Sequence, residues 1–330
     1  MAPVGPGVVK RVLVIGAAGM IGRKLCQKLA GEALELIQHD VVPFAGSSVV
    51  SDLSAPGEAE KLVASRPDLI FHLAAVVSGE AESDFEKGYR VNLDGTRRLL
   101  EAIRKEGGGT APPYRPRVVF TSSIAVFGAP FPEAIGDEFL SAPLTSYGTQ
   151  KAVCELLLSD YTRRGFLDGI GIRLPTICVR PGRPNKAASG FFSGIIREPL
   201  AGQEAVLPVP ETVRHWFASP RAAIAFLLHA AKISTEQLGT RRNLSMPGVA
   251  ATVGEQIDAL RKVAGEKVAR RIRREPDAAI QRIVEGWPRN FEAKRAAALG
   301  FCADRSFEEI IRIHIEDELQ GSPGLRTGSA

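Results

Sequence analysis

Two rhythms of apolar residues alternate along the first half of the chain. Short continuous runs recur at Val12-Leu13-Val14-Ile15, Leu34-Glu35-Leu36-Ile37, Leu69-Ile70-Phe71-His72-Leu73, Val118-Val119-Phe120 and Ile170-Gly171-Ile172-Arg173-Leu174. Their length and content suit strands covered on both faces. Between them the spacing turns helical: Ile21, Leu25 and Leu29, then Glu58 to Ser65, one long stretch from Glu82 to Lys105, and Tyr147 to Arg164. The run Gly107-Gly108-Gly109-Thr110-Ala111-Pro112-Pro113 must end the long stretch. Strand, helix, strand in this order predicts an α/β fold, a Rossmann-type doubly wound parallel sheet with crossover helices, whose strand series closes at Leu174.

After Pro175 the texture changes. Pro181, Pro184, Pro199, Pro208 and Pro210 interrupt short elements, as loops and small helices over a pocket would require. Helical spacing returns at Ala222 to Ala231, Val253 to Val263, Asp277 to Val284 and Phe307 to Glu318, the last behind Ser306-Phe307-Glu308-Glu309, a capping-box signature. The pattern divides the chain into a core of residues 1–175 and a smaller C-terminal lobe, 176–330, interleaved with that core. No internal repeat is found, and Gly321 to Ala330 is polar and expected to fray.

Composition narrows the class without choosing a chemistry. The chain has 330 residues, 45% hydrophobic and 24% charged, enough for a sizeable core without disulfides or metal. The formal charge is only +5, and the densest basic run, Arg270-Arg271-Ile272-Arg273-Arg274, has no aromatic platform beside it. A solvated strand or helix edge is expected there, with no nucleic acid as partner. Cys26, Cys154, Cys178 and Cys302 form no CxxC pair and sit in apolar stretches, so reduced, buried thiols are expected, and neither they nor the five histidines have metal-ligand spacing. Met1 to Lys10 is too short in apolar length for a signal peptide, and no run approaches the ~20 apolar residues of a membrane span. A cytoplasmic location with no membrane partner is the default expectation.

The chemistry sits at two places. Gly16-Ala17-Ala18-Gly19-Met20-Ile21-Gly22 falls between the first strand and the first helix, where glycines allow a tight turn and close approach of backbone to a pyrophosphate at a helix N-terminus. Asp40 ends the second strand; a carboxylate there accepts hydrogen bonds from adenosine ribose hydroxyls and repels a 2′-phosphate, so NAD is expected over NADP. Asp52-Leu53 either holds the adenine edge or forms a helix N-cap region. The second place is Ser146-Tyr147-Gly148-Thr149-Gln150-Lys151, which sets Tyr147 and Lys151 four residues apart on one helix face. An ammonium near a phenol stabilises the phenolate, making Tyr147 a general base towards an alcohol or an acid towards a carbonyl. Thr121-Ser122-Ser123 ends a strand upstream, and a hydroxyl there can hold the reacting oxygen.

Gly16, Gly19 and Gly22, with His72-Leu73-Ala74-Ala75, Asn92, Thr121-Ser122-Ser123 and Tyr147-Gly148 followed by Lys151, resemble the extended short-chain dehydrogenase/reductases from about Arg11 to Glu318. The resemblance implies a catalytic set of Ser123, Tyr147 and Lys151, with Lys151 also on the nicotinamide ribose. It implies a cofactor lined by Met20, Ile21, Leu73, Ala74, Ala75 and Ser122, with Asn92 supporting the lysine's proton relay and Pro175 and Thr176 flanking the nicotinamide. Phe71 to Glu80, Arg173-Leu174-Pro175-Thr176-Ile177 and Arg214-His215-Trp216 are similar to the branch that oxidises the C2 hydroxyl of four-carbon sugar acids such as D-erythronate. Dehydratases of the family often carry an acidic pair where this chain has Ser122-Ser123, so dehydration is not expected. A small hydroxy acid needs donors for its carboxylate. Arg180, Arg183, Asn185 and Arg214 are the candidates, with Ser78, Ser123, Tyr147 and Thr176 as hydroxyl contacts, and the sequence does not choose among them. A homodimer is the expected assembly. The alternatives are an NAD-dependent nucleotide-sugar epimerase and a non-catalytic NAD-binding protein.

Overall fold

The computed structural model describes residues 10–44, 48–109, 113–182 and 189–319. Seven parallel strands form the central sheet: β1 (Lys10–Ile15), β2 (Leu34–Asp40), β3 (Ser48–Val50), β4 (Leu69–His72), β5 (Arg117–Ser123), β6 (Asp168–Leu174) and β7 (Asn243–Ser245). Their order across the sheet is β7-β6-β5-β4-β1-β2-β3, so the chain runs outward from β1 one way through β2 and β3, and the other way from β4. The reversal lies between β1 and β4, where ligands of open α/β sheets bind at the carboxyl ends of the strands.

Alternation along each strand builds both faces. Val12 and Val14 of β1, Leu69 and Phe71 of β4, and Ile170 and Ile172 of β6 join one core with Leu25, Leu29, Phe226 and Leu227 from the helices Met20–Leu29 and Pro220–Lys232. Leu13, Ile15, Ile70, Val118 and Phe120 face the other way, onto Leu62, Leu99, Ile103 and Leu158 of three further helices. A separate core, with Phe192, Ile195, Phe217, Ile257, Leu260 and Ile310, is built from the later part of the chain. Within it, strand Arg214–Ala218 pairs antiparallel with Val249–Thr252 and parallel with Thr176–Ile177.

Several expectations need correction. The sheet does not close at Leu174: β7 adds beside β6, in register from Asn243 against Gly171. The stretch Glu82–Lys105 is not one helix, because Asp84 leaves the helical conformation (φ −129°, ψ 83°) and its carboxylate caps Lys87 N–H at 3.0 Å. A π-helix follows over Tyr89–Asp94 before the regular helix Gly95–Gly107. Cys302 is exposed, unlike the other three cysteines. The basic run, by contrast, is the solvated strand edge expected: Ile272–Arg274 runs beside Ala205–Leu207, with Arg270, Arg273 and Arg274 paired to Glu204, Glu211, Glu266 and Glu275. Arg183, Asn185 and residues 320–330 lie outside the described residues.

Candidate active site

A cavity of about 340 Å³ opens at the carboxyl ends of β1, β4 and β5. Its wall includes Gly16, Gly19, Met20, Ile21 and Gly22 from the first turn, and Leu73 and Ala75 after β4. Gly16 has φ +90°, and a Cβ on it would lie 2.6 Å from Ala74 N; one on Gly22 would lie 2.1 Å from Gly16 O. Side chains are therefore shut out of this turn, and backbone lines the cavity. Gly19 caps the Met20–Leu29 helix without any side-chain hydrogen bond, which leaves the N-terminal N–H groups and the positive end of the helix dipole for an anion. A dinucleotide's pyrophosphate fits this cradle. Asp40 closes its edge: one carboxylate oxygen accepts from Ala18 N–H at 2.8 Å, the other from Val41 N–H at 2.7 Å.

Ser123, Tyr147, Lys151, Ser78, Pro175, Thr176 and Arg180 line the same cavity. Thr145 caps the Ser146–Arg163 helix by accepting from Gly148 N–H at 3.1 Å, which sets Tyr147 in the first turn. Lys151, one turn on, is 2% exposed and donates to Thr121 O at 2.8 Å, with its ammonium 5.8 Å from the Tyr147 ring centroid. Burial pulls the Lys151 pKa down to about 8, against the acidic groups of Cys154 and Glu155. Burial pushes the Tyr147 phenol upward, and the charge of Arg180 and the Ser123 hydroxyl oppose the rise. Arg180 therefore adds a second positive charge near the phenol, beside the lysine expected from the YxxxK spacing. Arg180 is anchored through its backbone, N–H to Ser193 Oγ at 3.0 Å and O from Arg197 Nη1 at 2.7 Å.

The remaining candidates are engaged by other partners, although Ser122 also lines the cavity. Ser122 turns its hydroxyl from the reacting groups and donates to Glu155 Oε1 at 2.6 Å, and Glu155 is clasped by Arg173 at 2.9 and 2.7 Å. Asn92 does not touch Lys151: its amide grips the Val76 backbone and donates to Gln150 Oε1 at 2.7 Å. Asp52 caps Ser54 and pairs with Arg90 at 2.6 Å, while Leu53 is buried in the core beneath the sheet and Ala74 packs against that same core. Asp52 thus holds a local turn, and the helix that follows, Glu58–Ala64, is capped at Gly57 and not at Asp52. Arg214 faces Glu255 at 3.4 Å and lines a different surface hollow.

The sequence pattern passed over His215, Gly286, Trp287 and Pro288, which also line the wall. His215 appeared only inside a three-residue likeness, and Trp287 follows a helix far along the chain; no spacing rule links either to Tyr147. Among the described residues, no group of three or more His, Cys, Asp or Glu could hold a metal ion, and no helix is long and apolar enough to cross a membrane.

The pattern of the NAD dependent epimerase/dehydratase family matches residues 12–241. A D-erythronate dehydrogenase of Cupriavidus necator is 46% identical, covering 93% of this chain and 98% of its own. A D-erythronate dehydrogenase of Haemophilus influenzae is 40% identical, covering 94% of this chain and all of its own length, 100%. Among solved structures, the nucleoside-diphosphate-sugar epimerase from Agrobacterium tumefaciens superposes with a TM-score of 0.90 at 64% identity, covering 97% of this chain and 98% of that one.

Proposed function

Because this chain belongs to the NAD-dependent epimerase/dehydratase family, the extended short-chain dehydrogenase/reductases, we propose that it oxidises the C2 hydroxyl of a small sugar acid. D-erythronate, giving 2-dehydro-D-erythronate, is the substrate we put first. The chain is an NAD-dependent enzyme acting on CH–OH groups. What carries the finer reading is one juxtaposition: Ser123, Tyr147 and Lys151 share a cavity with Arg180, whose guanidinium has no partner among the described residues.

In this reading Gly16, Gly19, Met20, Ile21 and Gly22 hold the pyrophosphate of NAD, Asp40 its adenosine ribose, and Leu73, Ala75 and Pro175 its nicotinamide end. Bound NAD supplies the acceptor for the hydride that leaves the substrate carbon. Ser123 hydrogen-bonds the reacting oxygen. Tyr147 takes the hydroxyl proton on its phenolate oxygen, and the Lys151 ammonium, tethered to Thr121 O, stabilises that phenolate. Arg180 takes the carboxylate as a charge-assisted clamp and lowers the cost of ionising Tyr147. Residues 1–175 serve mainly for NAD and 176–330 mainly for the substrate, in a cytoplasmic homodimer.

The 64% identity to a structure named as an epimerase favours a second reading, interconversion of a nucleotide sugar with NAD restored in each cycle. Net NADH formation separates the two. Incubation with NAD and a panel of three- to six-carbon sugar acids is expected to give NADH with a four-carbon acid. No net NADH with any acid, together with epimerisation of a nucleotide sugar, would overturn the proposal.

A further inference from the structure

His215 sits mid-strand in Arg214–Ala218, 3% exposed, with its ring stacked on Phe192 at 5.1 Å and 2° between planes. Its Nδ1 lies 2.8 Å from Pro288 O. A carbonyl only accepts, so Nδ1 carries the hydrogen. Burial lowers the ring's pKa to about 4, although the Pro288 carbonyl favours the charged form, so near neutral pH the imidazole has one proton and Nε2 is a bare lone pair. Thr176 Oγ1 stands 2.7 Å from Nε2 and must therefore donate to it. A threonine hydroxyl has one hydrogen. With that hydrogen committed to His215, Thr176 has only lone pairs left to show the cavity it lines.

We propose that His215 is a positioning residue that fixes Thr176 as a pure hydrogen-bond acceptor, so that Thr176 selects substrates carrying a chain hydroxyl beyond the one oxidised. This rests on the reading of the cavity as a sugar-acid site. These two cavity residues are then opposite in kind. Arg180 has donors and no acceptor, and suits the carboxylate; Thr176 has acceptors and no free donor, and suits a hydroxyl. A deoxy acid leaves Thr176 unpaired, and a dicarboxylate sets lone pairs against lone pairs. A site built to pair a hydroxyl penalises the analogue lacking it by roughly 10- to 100-fold when, as here, the acceptor is partly solvated.

Trp287 lies in the cavity wall, 5.5 Å from the His215 ring, and supplies a fluorescence signal for binding. The NAD-saturated protein is titrated with a 2,3,4-trihydroxy four-carbon acid and with its 3-deoxy and 4-deoxy analogues, and kcat/KM is measured for the same three. In the parent protein one deoxy analogue should bind about 10- to 100-fold more weakly. Thr176→Ser should keep that ratio and Thr176→Val should bring it close to unity. His215→Phe, which keeps a ring against Phe192, should also collapse it. Should His215→Phe fail to fold, the ring can be interrogated in the parent protein: nitrogen-15 histidine spectra at neutral pH should show Nδ1 protonated and Nε2 bare. A protonated Nε2 would overturn the proposal, as would a ratio unaffected by Thr176→Val, including the case in which that variant weakens only NAD. Binding discrimination without NADH formation would uphold the acceptor role and overturn sugar-acid oxidation. Failure of all three acids to bind would overturn both.

Discussion

The pair Arg173–Glu155 offers a test of how the active helix is fixed to the sheet. Glu155 lies one turn beyond Lys151, its side chain 4% exposed, while that of Arg173 on β6 is 14% exposed. The contact is bidentate, at 2.9 and 2.7 Å, and Ser122 of β5 donates to the same carboxylate. Arg173 also lies over the Phe127 ring at 4.8 Å. Arg173→Met keeps much of the apolar bulk but strands a buried carboxylate, which costs about 3–5 kcal/mol. Unfolding entropy of about 2.1 cal/mol/K per residue over 330 residues gives about 0.7 kcal/mol/K, so the thermal midpoint should fall by roughly 4–7 °C. Replacing the whole cluster, Arg173→Met with Glu155→Leu and Ser122→Ala, leaves no orphaned group and should recover most of that loss. Calorimetry at neutral pH reads both. A midpoint within one degree of the parent for the single variant (about 0.7 kcal/mol on the same scale), or a triple variant no better than the single, would refute the argument.

Four further outcomes bear on the site. Tyr147→Phe keeps the ring and deletes the ionisable oxygen, so kcat should fall by about 10²–10⁴-fold with the NAD dissociation constant little changed; near-parent turnover in a folded variant would rule out this base. Oxidation should quicken as pH climbs, because the Tyr147–Lys151 pair must give up one proton before the phenol oxygen can accept that of the alcohol, and a flat profile with chemistry rate-limiting would contradict that. Since the same lysine has its pKa depressed by burial, the unfolded chain holds that proton more tightly, and Lys151→Met should unfold at the same or a higher temperature while losing turnover; a lower midpoint would show the Thr121 contact outweighing the burial cost. Asp40→Asn should narrow the preference for NAD over NADP, and equal catalytic efficiency of the parent with both cofactors would remove Asp40 from cofactor choice.

The strands of the first half were legible because parallel strands buried on both faces need unbroken apolar runs, and β1, β4 and β5 have them. The edge strand β3 was not: Val49 and Val50 are exposed, and three residues carry no period. β7 is equally short and gains its place from pairing with β6, a contact far along the chain. The break at Asp84 was hidden because the apolar spacing continues through Phe85, Tyr89 and Leu93, while one carboxylate turned to cap Lys87 decides the matter. At the site, local motifs revealed the glycine turn and the Tyr147–Lys151 face, since each lies within one turn of helix or loop. Choosing Arg180 over Arg214, or finding His215 and Trp287, needs the fold itself, because these residues meet only through the small sheet and the loop after residue 285.

The position of β7 has a consequence for how this protein is made. Until residues 243–245 leave the ribosome, β6 presents an open row of backbone donors and acceptors. The helix Pro220–Lys232, which covers Ile170 and Ile172, also arrives late. A nascent chain that has finished the Ser146–Arg163 helix therefore carries an unsealed sheet through the synthesis of residues 175–242, the interval in which an edge of this kind recruits other strands. Nascent-chain holdases and the rate of elongation over that interval, more than the stability of the finished enzyme, should govern its yield in a cell.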